Sequence, residues 1–539
     1  MPVTLERLEA EVAQTDSQLH YNADRISTRL NSPKPKVELP GDDRLLSSFG
    51  ADLAEVLKNH GLYQRGGLAF MVNQQQDGLE AITPQMLRTL VEDYLVCYRI
   101  KTVGETELSL ERTMTESDAK GVLSSQQFIG KLPKLEKVAT ARLPVLRRDG
   151  TIQLPPAGYD PRALILTLPQ CDFDESLTLA AAKEIIDKLL GEFPFADAGR
   201  SKAVAVSATL SLFGDGLLPQ EALRPVFIYL GNAEGAGKTL LAKCAISPVH
   251  GLVKTDGDLK DKTETAKELL TAVIEGRPYI LFDNCKKHLD SPCLEAFVTS
   301  PFWSGRILGV SKSFSGRNNV TVLVTGNGCT VSPDLRRRSL FVELFMEQER
   351  AEDRTFHRLL DDAALLAMRP GILAALWAIV REWDIAGRPE PSRTHSSFPR
   401  WAKAIGGIVE FAGYGCPLES PEIPSAADTD GADIRDLVKL LEAGQEAKFD
   451  DLVGVAREHG LFERLIAGEG ELKSAEKSSF GKLLKRYDQR IFNGGRRFIV
   501  DGKGHSRKFR VLCESNDIHG EHGRHGISAE VEDDNVLLT

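Results

Sequence analysis

A glycine-rich segment between an apolar run and a helix-like run constrains this chain more than any other feature. It reads Gly231-Asn-Ala-Glu-Gly-Ala-Gly-Lys-Thr239; Pro225-Val-Phe-Ile-Tyr-Leu230 precedes it and Leu240-Leu-Ala-Lys-Cys244 follows it. Glycines let consecutive backbone N–H groups turn inward around an anion, and the positive end of the next helix points at the same anion. The order strand, loop, helix therefore predicts an α/β domain that cradles phosphate groups.

The loop is expected to bind ATP and Mg²⁺. Its residues are Gly231, Asn232, Ala233, Glu234, Gly235, Ala236, Gly237, Lys238, Thr239 and Leu240. Lys238 should reach the β- and γ-phosphates, and the Thr239 hydroxyl should hold Mg²⁺. Asn232 stands where the pattern G-x-x-x-x-G-K-[ST] has its first glycine, and Asn tolerates left-handed backbone better than most residues. An ordinary glycine-rich turn is the alternative.

Composition indicates a multidomain cytoplasmic protein. The chain has 539 residues, 42% of them hydrophobic, which is enough for several cores. Its eight cysteines form no C-x-x-C pair, and the N-terminus lacks an uninterrupted apolar signal. The apolar run Ile372–Val380 is too short to cross a bilayer, so no membrane contact is expected. The net charge of -10 argues against nonspecific nucleic-acid binding by the whole surface.

Composition and periodicity divide the chain into seven segments. They are an N-terminal helix and linker (1–42), an α+β domain (43–165), an ATPase core with a parallel sheet (166–345), a helical lid (346–416), a linker (417–431), a winged helix domain (432–513) and a disordered tail (514–539). The expected helices are Arg44–His60, Pro84–Tyr98, Leu177–Glu192 and Ala203–Phe213. Asp149-Gly150 predicts a hairpin within Val145–Ile152. Trp377, Trp383 and Trp401 are expected in the core of the lid.

A second strand supplies a carboxylate. Pro278-Tyr-Ile-Leu-Phe-Asp283 is largely apolar and ends in an acid, and such strand ends are where a doubly wound sheet places ligands. Asp283 is therefore expected beside the metal held by Thr239. Asn284 follows it, and an amide can orient water but cannot accept its proton. Hydrolysis then uses Glu234, Glu275 or a neighbouring subunit, or is slow.

A third strand and an arginine cluster complete the predicted site. Asn319–Asn327 ends in an amide suited to the γ-phosphate or the attacking water. Pro333-Asp-Leu-Arg-Arg-Arg338 follows, and then the strand Ser339–Leu344. Three consecutive arginines repel one another unless an anion is near, and the triphosphate of an adjacent subunit is such an anion. Solvated loop arginines are the alternative.

These motifs together resemble the AAA+ core of replicative helicases from mobile genetic elements, related to superfamily-three and minichromosome-maintenance-like enzymes. The resemblance covers about residues 40–512 and includes Pro144–Gly150, Gly158–Pro161, Leu289–Pro292, Phe302–Gly309 and Ser397–Trp401. It implies a homo-hexameric ring with ATP between subunits. It assigns Lys238 and Thr239 to phosphate and Mg²⁺, Asp283 to the metal-site acid and Asn327 to the sensing amide, and it makes Arg338, or next Arg337, an arginine finger acting in trans.

Helicases of this family carry a β-hairpin before the sensor strand that grips nucleic acid in the pore. Arg306–Arg317 occupies that place, with Lys312 at the expected tip. Lys312 and Arg317 suit phosphate contact, and Phe314 suits stacking on a base. A surface hairpin with a chance lysine is the alternative.

The C-terminal region carries a local basic excess. Helices Phe449–Leu465 and Ala475–Tyr487 and strands Arg496–Val500 and Lys508–Leu512 outline a winged helix. Between Lys473 and Arg510 there are twelve basic residues and three acidic ones. Such an excess is typical of phosphate contact, and the residues expected to bind DNA are Lys482, Lys485, Arg486, Lys503 and Lys508. Subunit packing is the alternative.

The expected function is that of an ATP-driven helicase or translocase on single-stranded or forked DNA, with any primer made by a separate primase. The alternative is an AAA+ DNA-binding switch, either an initiator or an anti-phage defence ATPase, which Asn284 favours. A protein-remodelling chaperone would need an aromatic pore loop and would leave the basic C-terminal region unexplained.

Overall fold

The computed structural model describes residues 34–513, except 42, 104–105, 198, 233–234, 258, 260, 308–312, 347–359, 420–428, 467, 469, 490, 493–494 and 503–507. Ala233, Glu234, Lys312 and Lys503 lie outside the described residues, as do most of the N-terminal segment and the tail; the side chain of Arg486 is also not described. The chain divides into two units, Met1–Ala427 and Asp428–Thr539.

Short strands and helices build the N-terminal part of the first unit. They are β1 (Lys36–Glu38), α1 (Leu46–Leu57), β2 (Tyr63–Arg65), β3 (Leu68–Val72), β4 (Leu79–Ala81), α2 (Pro84–Tyr94), β5 (Val96–Val103), β6 (Thr106–Glu111), α3 (Glu116–Val122), α4 (Gln126–Ile129), β7 (Lys137–Ala139), β8 (Val145–Leu146), β9 (Ile152–Gln153), β10 (Gly158–Asp160) and β11 (Ile165–Thr167). The predicted hairpin is confirmed, because β8 and β9 pair antiparallel. The helix predicted to Tyr98 is wrong after Tyr94, since Val96–Val103 pairs with β1 and β6 as a strand.

A parallel sheet forms the centre of the first unit. Its elements are α5 (Leu179–Leu190), α6 (Arg200–Phe213), β12 (Val226–Gly231), α7 (Lys238–His250), α8 (Lys262–Ile274), β13 (Tyr279–Leu289), α9 (Pro292–Val298), β14 (Phe302–Arg306), β15 (Ser313–Arg317), β16 (Thr321–Val331), α10 (Pro333–Arg336) and β17 (Ser339–Leu344). The strand order is β13-β16-β12-β17, and all neighbouring pairs are parallel. The alternating strand and helix pattern thus predicted this sheet correctly.

Each face of the sheet packs in its own core, because successive side chains of a strand point to opposite faces. Phe227 and Tyr229 of β12 belong to the core shared with α5, α6 and α7. Val226 and Ile228 belong to the core shared with α8, α9 and the β14–β15 hairpin. All four side chains are fully buried, which explains why a central parallel strand is a continuous apolar run.

A helical region follows the sheet. It comprises α11 (Asp362–Ile385), α12 (Pro399–Trp401), a π-helical turn (Ala402–Gly406) and α13 (Gly407–Phe411). Trp377, Trp383 and Trp401 are buried here, as predicted. The length argument about Ile372–Val380 is wrong, because this run is part of a 24-residue helix whose most apolar 18-residue window has a mean hydropathy of 1.9. Within the described residues α11 is the single helix long and apolar enough to span a membrane, and 61% of its most apolar window is buried inside the protein.

The second unit has its own core. Its elements are α14 (Thr429–Leu440), β18 (Glu446–Lys448), α15 (Phe449–Glu458), α16 (Glu463–Ile466), α17 (Ser474–Arg486), β19 (Ile491–Phe492), β20 (Arg496–Asp501) and β21 (Lys508–Cys513). The antiparallel sheet has the order β18-β21-β20-β19. The helix predicted over Phe449–Leu465 is two helices, since the chain takes positive φ at Gly460 and Phe462. Phe480, Phe498 and Phe509 are fully buried between helices and sheet.

Candidate nucleotide site and predicted DNA-contacting residues

The glycine-rich loop joins β12 to the N-terminus of α7. Gly235 and Gly237 have φ of 78° and 95°, a backbone conformation that side chains disfavour. A Cβ at Gly231 would lie 3.2 Å from Nζ of Lys238, so the ammonium group lies against the loop entrance. Lys238 is 7% exposed. The loop thus brings a helix N-terminus and a buried cation together, the combination that anionic phosphates need.

Asn232 has a role that differs from the expected one. It is not among the residues with positive φ. Instead its side chain brackets the backbone of Met346: Nδ2 donates to the Met346 carbonyl at 2.9 Å, and Oδ1 accepts from the Met346 N–H at 2.8 Å. Asn232 therefore ties the loop entrance to the chain that leaves β17, and a glycine here would lose both bonds.

Two hydroxyl groups hold the carboxylate of Asp283. Thr239 Oγ1, from the first turn of α7, donates to Asp283 Oδ1 at 2.7 Å. Thr325 Oγ1, from the neighbouring strand β16, donates to the same oxygen. The sequence interpretation missed Thr325. Thr325 could have been predicted, because it lies two residues before Asn327 and side chains two residues apart lie on the same face of a strand.

Strands β13 and β16 run on past the polar residues at which they were predicted to end. Beyond Phe282 a bulge shifts the register, and the two strands keep pairing from Cys285 to Leu289. Asn284 lies in this bulge with a φ of 56°, and its N–H donates to Thr325 Oγ1 at 3.0 Å. Asn accepts left-handed backbone more readily than Glu. The bulge therefore gives a backbone reason for the amide that follows Asp283.

Asn327 lies beside the loop. It is in register with Gly231 on one side and with Lys286 on the other. Its Oδ1 atom is buried and accepts no hydrogen bond from the part of the chain that the structure describes. Because a buried polar atom without a partner is costly, the position suits a water or ligand group that donates to it.

The donor set at this edge of the sheet fits ATP with Mg²⁺. Thr239 and Asp283 offer the oxygen ligands that Mg²⁺ prefers, and Lys238 supplies a cation for the phosphates. Over the described residues no group of three or more His, Cys, Asp or Glu side chains could hold a metal ion elsewhere. Burial raises the pKa of the nearby Cys329 thiol, with a smaller opposite effect of the Lys238 charge. Cys329 is thus a neutral core thiol at pH 7 and a poor nucleophile.

Glu275 does not lie at this edge. It follows α8, before the start of β13, whereas Asp283 follows Phe282 at the far side of the sheet. Four residue-to-residue steps of strand, at roughly 3.3 Å each, separate Tyr279 from Asp283. The Glu275 side chain instead pairs with Arg277 Nε at 2.9 Å. Of the alternatives for the hydrolytic base, Glu275 is therefore wrong.

The predicted arginines differ in exposure. Arg337 is 62% exposed and pairs with Asp334 at 2.9 Å. Arg338 is only 14% exposed, and its Nη1 lies 3.4 Å from the Glu295 carbonyl oxygen and 4.0 Å from Glu295 Oε2. Arg338 therefore packs on α9 of its own chain, while Arg337 presents its guanidinium to the surface.

The β14–β15 hairpin corrects one predicted DNA contact. Its strands pair from Phe302 with Arg317 to Arg306 with Ser313, and its loop, with Lys312, lies outside the described residues. Phe314 is fully buried and meets Phe70 edge-on at 6.5 Å between ring centroids. The prediction that Phe314 stacks on a base is wrong, because the alternation of β15 points its ring into the core. Arg317 is half-buried at the hairpin base.

The basic residues of the second unit lie on α17 and β21. Lys482 is exposed on α17. Lys485 pairs with Asp488 at 2.5 Å, and Lys508 of β21 pairs with Glu446 at 2.6 Å. Both pairs are at least half-exposed on the lysine side, so each contributes at most about 1 kcal/mol. A phosphate group can replace such carboxylate partners at little cost.

Comparison with known proteins gives only distant similarities. No family model matches the chain, and no curated protein matches it. The A-form apo structure of the NrS-1 C-terminal region is 12% identical, with a TM-score of 0.35 over 86% of this chain and 99% of that one. The SCCmec type IV Cch active helicase is 9% identical, with a TM-score of 0.29 over 84% and 97%. A JCV helicase with a bound small molecule is 14% identical, with a TM-score of 0.19 over 45% and 74%. Similarities this distant support no conclusion about function. Function must therefore be inferred from the geometry and chemistry of the site.

Proposed function

We propose that this protein is an ATP-driven DNA helicase or translocase that acts as a ring oligomer in the replication of a mobile genetic element. One observation carries the proposal: Lys238, Thr239, Asp283 and Asn327 meet at one edge of a parallel sheet, beside a loop with two left-handed glycines. Phosphoryl transfer needs a protein to position the phosphates and to stabilise their charge. The residues at this edge of the sheet are suited to both tasks.

Each residue then has a defined task. Lys238 would bind the β- and γ-phosphates, and Thr239 and Asp283 would hold Mg²⁺, whose charge would offset the negative charge of the phosphates. Thr325 orients Asp283 through its hydroxyl. The free Oδ1 of Asn327 accepts from the attacking water. The group that takes the proton of this water is not Asn284.

In the proposed ring, a neighbouring subunit supplies the arginine that completes the nucleotide site. Arg337 is the better arginine finger, because it is exposed and its partner Asp334 is a weak surface contact. Arg338, by contrast, would first have to leave Glu295. This choice reverses the order of the two residues that the family resemblance implies.

DNA contact is assigned to the β14–β15 hairpin and to the second unit. The hairpin directly precedes the strand that carries Asn327, so a change at the nucleotide can reach its loop. The second unit has the order helix, strand, three helices and three further strands, with the sheet order β18-β21-β20-β19, which we take as a winged helix with α17 as its recognition helix. Exposed Lys482 on α17 is its leading phosphate contact. The helices α11 to α13 are assigned as the lid of the ATPase core.

A DNA-binding switch is the second candidate. Asn284 favours it, because the position after Asp283 carries an exposed amide in a left-handed bulge. Slow hydrolysis would then time assembly on DNA without unwinding it. A ring that binds DNA in the presence of ATP, but does not separate the strands, would act as such a switch.

Single-turnover unwinding of a forked duplex tests the proposal. The native protein should displace a strand with ATP, Lys238→Ala should not, and Lys312→Ala should displace it more slowly. If the native protein hydrolyses ATP on the fork without displacing either strand, the helicase proposal fails and the switch takes its place.

A further inference from the structure

The turn between β2 and β3 carries a buried arginine from the N-terminal part into the ATPase core. Arg65 ends β2, is 4% exposed, and is followed by Gly66 and Gly67, both with positive φ. Its Nε donates to Glu136 Oε2 at 3.2 Å. Burial lowers the pKa of the guanidinium, and the charge of Glu136 opposes this shift. Burying the charged guanidinium of Arg65 costs desolvation free energy, which its contacts must offset.

The first set of contacts caps α8. Arg65 Nη1 donates to the carbonyl oxygen of Val273 and, at 3.1 Å, to that of Ile274. The N–H of Leu79, from β4, donates to the Glu275 carbonyl at 3.1 Å. The last carbonyl groups of a helix lack partners within it and carry partial negative charge. The N-terminal part thus supplies the C-terminal cap of a core helix.

The second set of contacts reaches the β14–β15 hairpin. Arg65 Nη2 donates to the Arg317 carbonyl at 3.4 Å, and its guanidinium carbon lies 5.7 Å from the centroid of the Phe314 ring. A Cβ at Gly66 would lie 2.5 Å from the Phe314 ring and 2.8 Å from the Ser315 carbonyl oxygen. Only glycine at 66 therefore lets the turn press against β15.

Helix α8 also packs directly on the hairpin. A Cβ at Gly305 of β14 would lie 2.6 Å from a methyl carbon of Leu270, and a Cβ at Gly316 of β15 would lie 3.4 Å from Val273 Cγ1. The helix end, the hairpin base and the β2–β3 turn are thus three surfaces in contact, with Arg65 between them. Interiors packed this closely transmit small shifts from one surface to the next.

We propose that Arg65 is a positioning residue that fixes the base of the β14–β15 hairpin, so that the N-terminal part and the hairpin move as one body. The planar guanidinium bonds the carbonyls of α8, the Arg317 carbonyl and Glu136 at once, which a lysine ammonium on a flexible stem cannot do. The consequence for DNA depends on the proposed function, in which the loop of this hairpin grips the strand.

Hydrogen exchange tests the positioning role without any ligand. In Arg65→Lys, amides of 302–317 and of the α8 C-terminus should exchange about 10-fold faster than in the native protein, while those of 238–250 should not change. Arg88→Lys is the matched control, because Arg88 Nε donates to the Met114 carbonyl at 2.8 Å within the N-terminal part only. Unchanged exchange over 302–317 in Arg65→Lys would overturn the proposal. If this variant does not fold, Phe314→Leu, which removes the ring beside the guanidinium, makes the same prediction.

A second readout separates this inference from the proposed function. If single-stranded DNA stimulates the ATPase of the native protein, the stimulation should be about 10-fold weaker in Arg65→Lys. The KM of this variant for ATP should equal that of the native protein. Full stimulation of Arg65→Lys would overturn the coupling. If DNA stimulates neither protein, the proposed function fails, and the exchange result alone decides the role of Arg65.

Discussion

The proposed nucleotide site, at the sheet edge that carries Lys238, Asp283 and Asn327, and the β14–β15 hairpin are built in different ways. At the proposed nucleotide site, strand register sets Gly231 beside Asn327, and hydroxyls of adjacent elements hold Asp283. The hairpin, in contrast, is held at its base by Arg65, which lies 252 residues before Arg317 in the chain. The first region depends on the core of its own sheet, whereas the second also depends on a distant part of the chain. Substitutions should therefore disable the two regions separately.

The largest effect is expected at Lys238. Lys238→Ala removes the cation that lies against the loop, and ATP hydrolysis should fall to background, by more than about 10³-fold. Lys243→Ala is the matched control: Lys243 lies on the same helix and pairs with Asp362 at 2.9 Å, outside the loop. Steady-state phosphate release checks both. An unchanged rate in Lys238→Ala would refute the site.

Arg337 and Arg338 should separate catalysis from stability. Arg337→Ala should lower hydrolysis by about 10³-fold without changing the melting temperature, because the side chain is exposed. Arg338→Ala should lower the free energy of unfolding by about 1 to 2 kcal/mol, because it leaves half-buried Glu295 without its cation. Mixing inactive Lys238→Ala with inactive Arg337→Ala should restore hydrolysis at mixed interfaces. No recovery in stable mixed assemblies would argue against a shared site.

A moderate effect is expected at Thr325. Thr325→Val removes the hydroxyl that bonds Asp283 and accepts from the Asn284 N–H, so hydrolysis should fall by about 10-fold. Thr321→Val makes the same change on the same strand, at a buried position four residues earlier. Titrations with Mg²⁺ at fixed ATP should show a weaker apparent affinity for Thr325→Val alone. Equal behaviour of the two variants would remove Thr325 from the site.

The smallest effect concerns His250 at the far end of α7. Its Nε2 is buried without a partner, and burial, with the charges of Lys137 and Arg369, lowers the pKa of the ring from 6.5 to about 3. The neutral ring therefore contributes full stability above pH 6.5, and this is lost as pH falls toward 3, by about 2 kcal/mol between pH 7 and pH 5. Denaturant unfolding at pH 7 and pH 5 should show this loss, and His250→Gln should reduce it. Exposed His60→Gln is the control, and an identical pH dependence in all three proteins would contradict the assignment.

Local patterns predicted the parallel sheet well. The apolar runs of β12 and β17 were placed within a residue of their observed bounds, because a buried parallel strand must be apolar throughout. The ends of β13 and β16 were wrong, since the two strands stabilise each other beyond the sheet edge. No local sequence pattern predicts that two strands extend each other in this way.

The hairpin was harder to predict. The alternation Ser313-Phe314-Ser315 was enough to turn Phe314 inward, but the aromatic beside a basic loop suggested a nucleic-acid contact instead. The contact between Arg65 and Ile274 spans 209 residues, so no local pattern could reveal it. The side-chain bridge from Asn232 to Met346 was equally hidden, because it joins residues 114 apart.

Displacement of streptavidin from biotinylated single-stranded DNA tests the central claim most directly, because it needs movement along one strand and no duplex. The native protein with ATP and Mg²⁺ should clear streptavidin from one DNA end faster than the spontaneous rate, and Lys238→Ala should not. Hydrolysis of ATP on this DNA by the native protein, with no displacement from either end, would contradict the claim.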